Sequence, residues 1–164
     1  MKKLVVFYSF EGNTRFIAEN IAQEIDADLL ELRPKKDVKS KGFMKYFWGG
    51  RQVVMKATPK LESFDVNPQD YDILFIGTPV WAFSYAPALK SFFEKIHLAD
   101  KKIAIFCCCQ GIKGRALEKM KESLKKNEII GQIDFIDPLK IKQASVLKAR
   151  EWAKKLLKIL WRIE

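Results

Sequence analysis

A short polar loop near the start of the chain carries the residues best suited to chemistry. It is the segment Ser9–Thr14, which follows the apolar run Leu4–Tyr8 and opens directly onto an amphipathic helix pattern. A strand that leads through a loop to a helix N-terminus forms an anion site, because unpaired N–H groups and the positive end of the helix dipole face the loop. Gly12 can adopt a positive φ or let a ligand approach the backbone closely. We therefore expect a phosphorylated cofactor at this loop.

The side chains of the loop narrow the type of phosphate site. Ser9, Asn13 and Thr14 can bind phosphate oxygens, although Asn13 or Thr14 could instead be only a helix cap. Neither G-x-G-x-x-G nor G-x-x-x-x-G-K-[ST] is present, which argues against a dinucleotide fold and a nucleotide triphosphatase. Because the loop has no lysine, it favours a terminal monophosphate held by backbone N–H groups and hydroxyls.

A second loop, Thr78–Pro87, places three aromatic residues near the same site. Trp81 beside an anion site suggests stacking on a planar ring, whereas Phe83 is expected to pack underneath the loop. A third loop, Cys108–Gly114, follows another apolar run.

The cysteines and the single histidine are weak candidates for chemistry. The three cysteines are consecutive, Cys107–Cys109, and consecutive strand residues alternate faces, so all three cannot readily bind one metal ion. We expect small apolar residues at the end of a buried strand, with Cys109 near the ligand, and we assign no metal site. His97 precedes a strand away from the predicted site, and we expect it to pack or be solvated there.

Alternating strand and helix patterns position these loops. The strands are predicted at Lys3–Tyr8, Ala27–Leu32, Asp72–Gly77, Lys102–Cys107 and Ile129–Ile136. The helices are predicted at Asn13–Ile25, Ala86–Ile96, from Gly114 to about Lys126, and Gln143–Leu160.

Three of the strands are nearly continuous apolar runs, which is typical of a parallel sheet covered on both faces. The sequence therefore predicts a doubly wound α/β fold, with five parallel strands in the order 2-1-3-4-5 and three layers, α/β/α. The three loops leave the carboxyl ends of the strands and should converge at the switch point between strands one and three.

Length and composition predict one domain over residues 1–164, because no linker, repeat or low-complexity segment is found. The longest apolar stretch, Ile103–Cys109, is too short to span a bilayer. Glu11 interrupts the first apolar run and no cleavage site follows, so we expect a cytoplasmic protein without a signal peptide. The odd number of cysteines agrees with a reducing compartment.

The formal net charge of +10 is unusual. Nine basic and one acidic residue lie in Arg33–Lys60, and eight basic and two acidic residues lie in Leu139–Glu164. Within the first of these, Val38–Pro59 is expected to be a basic amphipathic excursion. The whole stretch Arg33–Lys60 could bind an acidic partner protein, the phosphates of NADPH or a membrane surface, or it could be a solvated face; nucleic acid is not expected.

The segments YSFEGNT and IGTPVWAFSYAPALKSFF together resemble the flavodoxin family. The resemblance covers most of the chain and implies one non-covalent FMN. Its phosphate would lie on the first loop, where Glu11 and Gly12 contribute mainly backbone N–H groups. Its ring would lie between the second and third loops, with Trp81 as its neighbour. The implied FMN contacts are Ser9, Glu11, Gly12, Asn13, Thr14, Thr78, Pro79, Val80, Trp81, Ala82, Cys108, Cys109, Gln110 and Gly111.

The function implied by the resemblance is electron transfer between a reductase and an acceptor, with the flavin rather than a side chain doing the chemistry. An NAD(P)H-dependent quinone or flavin reductase is the alternative, and a cofactor-free binding module is an alternative of another class. Two features depart from well-known flavodoxins. The chain is basic where those carriers are acidic, and the loop CCCQGIKG lacks the aromatic residue that many of them place over the outer flavin face.

Overall fold

The computed structural model describes residues 1–36, 50, 51, 53 and 57–162. The predicted excursion Val38–Pro59 lies mostly outside these residues. The strands are β1 (Lys3–Phe7), β2 (Asp28–Glu31), β3 (Ile73–Trp81), β4 (Ser84–Tyr85), β5 (Lys102–Cys109) and β6 (Glu128–Ile136). The helices are α1 (Asn13–Ile25), α2 (Pro87–Lys95), α3 (Ala116–Ser123) and α4 (Lys142–Trp161), with a short 3-10 helix at Pro68–Asp70.

A parallel sheet forms the centre of the fold, in the order β2-β1-β3-β5-β6. This is the predicted order 2-1-3-4-5, and the doubly wound α/β prediction is confirmed. The difference in numbering comes from β4, which the sequence analysis missed. This two-residue strand pairs antiparallel with the end of β3 and forms a hairpin with it.

Both faces of the sheet are buried, because successive strand residues point to opposite sides. In β1, Leu4 and Val6 face the core beneath α2 and α3, while Val5 and Phe7 face the core beneath α1 and α4. Burial on both sides explains why the central strands are continuous apolar runs. A residue that would be exposed in a one-sided sheet must be apolar here.

The strand β3 is longer than predicted, and it extends beyond the end of β1. Phe7 at the end of β1 pairs with Gly77, whereas β3 continues through Pro79 to Trp81. Tyr8 still donates a backbone hydrogen bond to the Gly77 oxygen, 3.2 Å away. Since backbone N–H groups alternate sides along a strand, the missing N–H of Pro79 falls on the side where β1 has ended. A proline is therefore compatible with this central strand, and a crevice opens above the end of β1.

The helix α1, which begins at the first loop, is tied to α4 by polar contacts. The Arg150 guanidinium donates to the Asn20 side-chain oxygen, 3.1 Å away, and the Lys154 ammonium lies 2.5 Å from the Glu24 carboxylate. The apolar stripe of α4, which includes Ala153, packs on the same core as α1. No helix in the described part of the chain is both long enough and apolar enough to cross a membrane.

Candidate functional site

The crevice above the end of β1 is a cleft of about 390 Å³, lined by parts of all three predicted loops. Most of the predicted site residues lie on it, and two, Gly12 and Thr78, do not. Those on the cleft are Ser9, Glu11, Asn13, Thr14, Pro79, Val80, Trp81, Ala82, Cys108, Cys109, Gln110 and Gly111. Phe10, Phe83 and Ile112 also line it and were not among the predicted site residues.

The first loop leads to the N-terminus of α1 through a left-handed residue. Gly12 is the N-cap residue with φ of 91°, a conformation that favours glycine, and its oxygen accepts the bond from the Phe16 N–H at 2.9 Å. Neither Asn13 nor Thr14 caps the helix with its side chain, so the prediction that one of them could be only a cap is wrong. Ser9 instead accepts from the Arg15 N–H at 3.1 Å, which leaves the hydroxyl hydrogen of Ser9 able to donate.

Thr14 has a buried hydroxyl without a hydrogen bond. The residue is 1% exposed, and its oxygen has no partner of hydrogen-bonding geometry among the described residues. The hydroxyl lies near the Cys108 sulfur, where it acts to lower the pKa of that thiol. The contact does not have hydrogen-bond geometry, so the hydroxyl is still unpaired. An unpaired buried hydroxyl is unfavourable by about 1–3 kcal/mol. Because Thr14 lines the cleft, a polar atom of a ligand could satisfy it.

Two side-chain hydrogen bonds connect the first loop to its neighbours. Asn13 accepts from the backbone N–H of Leu139 at 3.2 Å, which ties the loop to the segment after β6. Gln110 donates to the Glu11 carboxylate at 3.2 Å, which joins the first and third loops. The first loop is therefore held from both sides before any ligand binds.

Thr78 closes the second loop rather than lining the cleft. It is fully buried, its hydroxyl donates to the Pro79 oxygen at 2.9 Å, and it accepts from the Ala86 N–H at 3.0 Å. The side chain thus joins the start of the loop to its end, immediately before α2. The structure gives it a positioning role and no direct access to a ligand in the cleft.

Trp81 is held at one side of the cleft by two aromatic residues. Its ring packs edge-on against Tyr8 and Phe10, each with centroids 5.6 Å apart. The indole is therefore fixed in orientation while still lining the cleft. This placement is compatible with the predicted contact to a planar ring.

The tip of the hairpin has a strained backbone. Val80 pairs with Tyr85 and Trp81 with Ser84, so Ala82 and Phe83 form a two-residue turn, with φ of 45° and 58°. Such a turn normally has Asn-Gly or a similar pair, and each ordinary residue in the left-handed region costs roughly 1–2 kcal/mol. The absence of that pair explains why β4 was not predicted.

Phe83 projects into the open, contrary to prediction. Its side chain was expected to pack beneath the loop, but the residue is 62% exposed and lines the cleft. The backbone of Phe83 is held by the third loop, because its oxygen accepts from the Arg115 N–H at 3.0 Å. A Cβ at Gly114 would lie 2.6 Å from the Cβ of Phe83, so the two loops can approach this closely only because residue 114 is glycine.

The three cysteines end β5 and are buried free thiols. Cys107 and Cys108 belong to the cores on opposite faces of the sheet, as strand alternation predicts. Burial raises the pKa of Cys108 to about 12, and burial raises the pKa of Cys107 further. Both remain neutral thiols at physiological pH and act as small apolar residues. Within the described residues no cluster of His, Cys, Asp or Glu is arranged to hold a metal ion.

The described residues that line the cleft include no lysine or arginine. An anion would be held by helix N–H groups and hydroxyls, assisted by the positive end of the α1 dipole. The first turn of α1 has no acidic residue, and the Glu11 carboxylate, which also lines the cleft, accepts a hydrogen bond from Gln110. The cleft thus combines the N-terminus of α1, which could hold a monophosphate, with an apolar, aromatic slot beside it.

Comparison with known proteins agrees with this geometry. The family model for flavodoxin matches residues 2–155. The chain belongs to the flavodoxin family. A curated relative, the flavodoxin-like domain-containing protein BilS of Clostridioides difficile, is 30% identical over 160 residues, which cover 94% of this chain and 75% of the relative.

Two solved structures share this flavodoxin's fold. A flavoprotein from Lactobacillus acidophilus, solved in complex with FMN, has a TM-score of 0.72 and 23% identity, and the match covers 87% of this chain and 97% of that one. Oxidised flavodoxin 2 from Bacillus cereus has a TM-score of 0.62 and 19% identity, with 96% of this chain and 99% of that chain covered.

Three residues that line the flavodoxin cleft were not predicted as site residues, for different reasons. Phe10 lies inside the predicted phosphate loop but resembles a core residue. Ile112 is 74% exposed, and nothing in its sequence context distinguishes it from a buried aliphatic residue. For Phe83 the signal was present, since it lies between two other aromatic residues of the predicted loop. Its orientation depends on the turn, which the sequence did not reveal.

We expect Cys107 and Cys108 of the folded protein to resist iodoacetamide between pH 7 and pH 9. Their raised pKa keeps both thiols protonated over this range, and only the thiolate reacts. Mass spectrometry of peptides would report labelling at each cysteine, with urea-unfolded protein as the control in which all three are labelled. Rapid labelling of Cys108 in the folded protein would contradict its assignment as an inert core residue.

Proposed function

We propose that this flavodoxin binds one FMN in the cleft and transfers electrons between a reductase and an acceptor. The observation that carries the proposal is the Thr14 hydroxyl, which has no hydrogen-bond partner among the described residues. Thr14 lies in the first turn of α1 and lines the cleft. The Lactobacillus acidophilus relative was solved with FMN, and its similar fold supports the same cofactor here.

The phosphate of FMN would be held by the first loop and the first turn of α1. The backbone N–H groups of Asn13 and Thr14 make no hydrogen bond to a described residue, and both residues line the cleft. The hydroxyls of Thr14 and Ser9 can both donate. These groups supply hydrogen-bond donors without a cation, which suits a terminal monophosphate better than a longer phosphate chain.

The ring of FMN would lie in the aromatic slot. Trp81 lines one side of this slot, and the end of β5 with Gln110 lines another. The bound flavin would supply the ability to accept and release electrons, and the chain would supply its orientation and dielectric surroundings. The raised pKa of Cys107 and of Cys108 keeps both buried thiols protonated at neutral pH, so they would not act as thiolates in the redox step.

The charge of the chain favours an acidic redox partner. The basic stretch Arg33–Lys60 begins just after β2. Its first residues start beside the cleft, because the Leu32 N–H donates at 2.7 Å to the oxygen of Phe7, the residue at which β1 ends. Lys36, four residues later, lines the same small cavity as Trp81. Nearby cations such as Lys113 are paired with acids, so attraction would come mainly from the net charge of +10 rather than from single contacts.

The variant Thr14→Val tests the phosphate site. Loss of one hydrogen bond to a charged group is worth about 1.5–3 kcal/mol, so we expect FMN affinity to fall about 10- to 100-fold. Riboflavin lacks the phosphate, and its affinity should not change. The apo variant should be no less stable than the parent, because valine removes an unsatisfied buried hydroxyl without changing the volume much. Titration by flavin fluorescence and thermal unfolding would measure both effects.

Thr58→Val is the matched control, since Thr58 is exposed and does not line the cleft. It should leave both affinities unchanged. Ser9→Ala should weaken FMN binding in the same selective way. Equal loss of FMN and riboflavin affinity in Thr14→Val would show that Thr14 does not contact the phosphate, and failure of the parent to bind either flavin would favour a cofactor-free module.

Stepwise anaerobic reduction of the FMN-loaded protein distinguishes a carrier from a reductase. For a carrier, we expect a long-wavelength absorption band that rises and then falls, because electrons enter one at a time. Visible spectra recorded at each addition of dithionite would show it. Direct bleaching, together with rapid steady-state oxidation of NADPH in the presence of a quinone, would instead identify an NAD(P)H-dependent quinone reductase.

Small redox ions test the charge argument without a partner protein. We expect anionic ferricyanide to oxidise the reduced protein faster at low ionic strength, with the rate falling as salt is added. Cationic hexaammineruthenium(III) should show the opposite salt dependence. Stopped-flow absorbance would measure both rates. If both ions have rates independent of salt, the surface around the cleft is not effectively positive and the acidic partner is not supported.

A further inference from the structure

We propose that the strained Ala82–Phe83 turn holds the Phe83 ring as a cover on the open side of the cleft, opposite Trp81. The inference rests on the proposed function, because the covered ligand is the flavin ring. It assigns Phe83 as a positioning residue that limits access to the ring, a role that the side chain cannot have if it is merely an exposed surface residue.

The two aromatic residues of the hairpin are anchored on different sides of the cleft. Trp81 packs on Tyr8 and Phe10, which belong to the first-loop side. Phe83 meets Gly114 and bonds through its backbone oxygen to Arg115, which belong to the third-loop side. The hairpin thus places one aromatic side chain near each wall. A planar ring between these walls would have apolar neighbours on both faces.

The side chain of Phe83 contributes little of the stability that offsets the strain at the turn. Ala82 and Phe83 both adopt left-handed φ values that glycine or asparagine tolerates much better. The Phe83 side chain is 62% exposed, so it offsets this strain with little burial. Residues held in unfavourable conformations persist at ligand sites, where the conformation itself is needed. Here that conformation presents an aromatic ring on the cleft.

The opposite loop cannot provide such a cover. Residues 108–114 are Cys-Cys-Gln-Gly-Ile-Lys-Gly and contain no aromatic side chain. Ile112 is the large apolar residue of this loop and also lines the cleft, at 74% exposure. It is an aliphatic neighbour, and its backbone is not among those with positive φ. Ile112 therefore serves as a matched comparison for Phe83 in an experiment.

Four variants separate the cover from the strain: Phe83→Asn, Phe83→Trp, Ala82→Gly and Ile112→Ala. Asparagine tolerates the left-handed conformation and removes the ring, whereas Ala82→Gly relieves strain and keeps the ring. Measurements on each are thermal unfolding of the apo protein, affinity for FMN and for riboflavin, and fluorescence of the bound flavin. Because riboflavin lacks the phosphate, its affinity reports the contribution of the ring to binding separately from that of the phosphate.

We expect Ala82→Gly to raise the apo unfolding temperature by about 2–4 °C. Phe83→Asn should weaken the binding of both flavins about tenfold, because one face of the ring loses its aromatic neighbour. Phe83→Trp should restore affinity and lower the fluorescence of the bound flavin below that of the parent, because an indole quenches an adjacent flavin by electron transfer and a phenyl ring does not. Ile112→Ala should change affinity much less than Phe83→Asn.

If Phe83→Asn binds riboflavin as the parent does, and Phe83→Trp leaves the fluorescence of the bound flavin unchanged, Phe83 does not cover the ring and the inference is wrong. If Ala82→Gly lowers the apo unfolding temperature, the turn is not strained and that part of the argument fails. A parent protein that binds neither FMN nor riboflavin would overturn the proposed function itself, and the cover with it, which distinguishes the two failures.

Discussion

The termination of β1 at Phe7, beside a strand that continues to Trp81, is the constraint on which the site depends. Because β1 stops first, the next residues can turn away and begin α1, while the end of β3 remains as a wall. The cleft is the space left by this difference in length. Pro79 is permitted in β3 for the same reason, since no neighbouring strand needs its missing N–H.

Burial on both faces of the sheet makes this geometry rigid. The strands that meet at the cleft are packed between two helical layers, so their ends are fixed relative to one another. Hydrogen bonds then connect the loops to each other, as between Gln110 and Glu11 or between Arg115 and Phe83. The polar groups of the cleft are thus oriented before a ligand arrives, which lowers the entropy lost on binding.

The parts of the fold that could be predicted from the sequence are those set by periodicity. Helix α1 has the predicted bounds, and the sheet has the predicted order, because apolar runs and helical stripes report burial directly. The hairpin could not be predicted, because Ala82 and Phe83 are poor turn residues that tertiary contacts with Gly114 hold in place. Phe83 was wrongly expected to be buried for the same reason.

In the site, too, features that depend on local sequence could be predicted, and features that depend on tertiary contacts could not. Ser9 and Thr14 could be selected as candidate phosphate ligands from residue type and position, because short hydroxyl side chains before a helix either cap the helix or bind an anion there. Nothing local distinguishes Thr78, whose hydroxyl joins the two ends of the second loop, from a ligand-binding threonine. The two threonines differ in whether backbone groups of the protein form hydrogen bonds to the hydroxyl. The hydroxyl of Thr78 is satisfied by the protein, whereas the hydroxyl of Thr14 has no hydrogen-bond partner among the described residues and is available to a ligand.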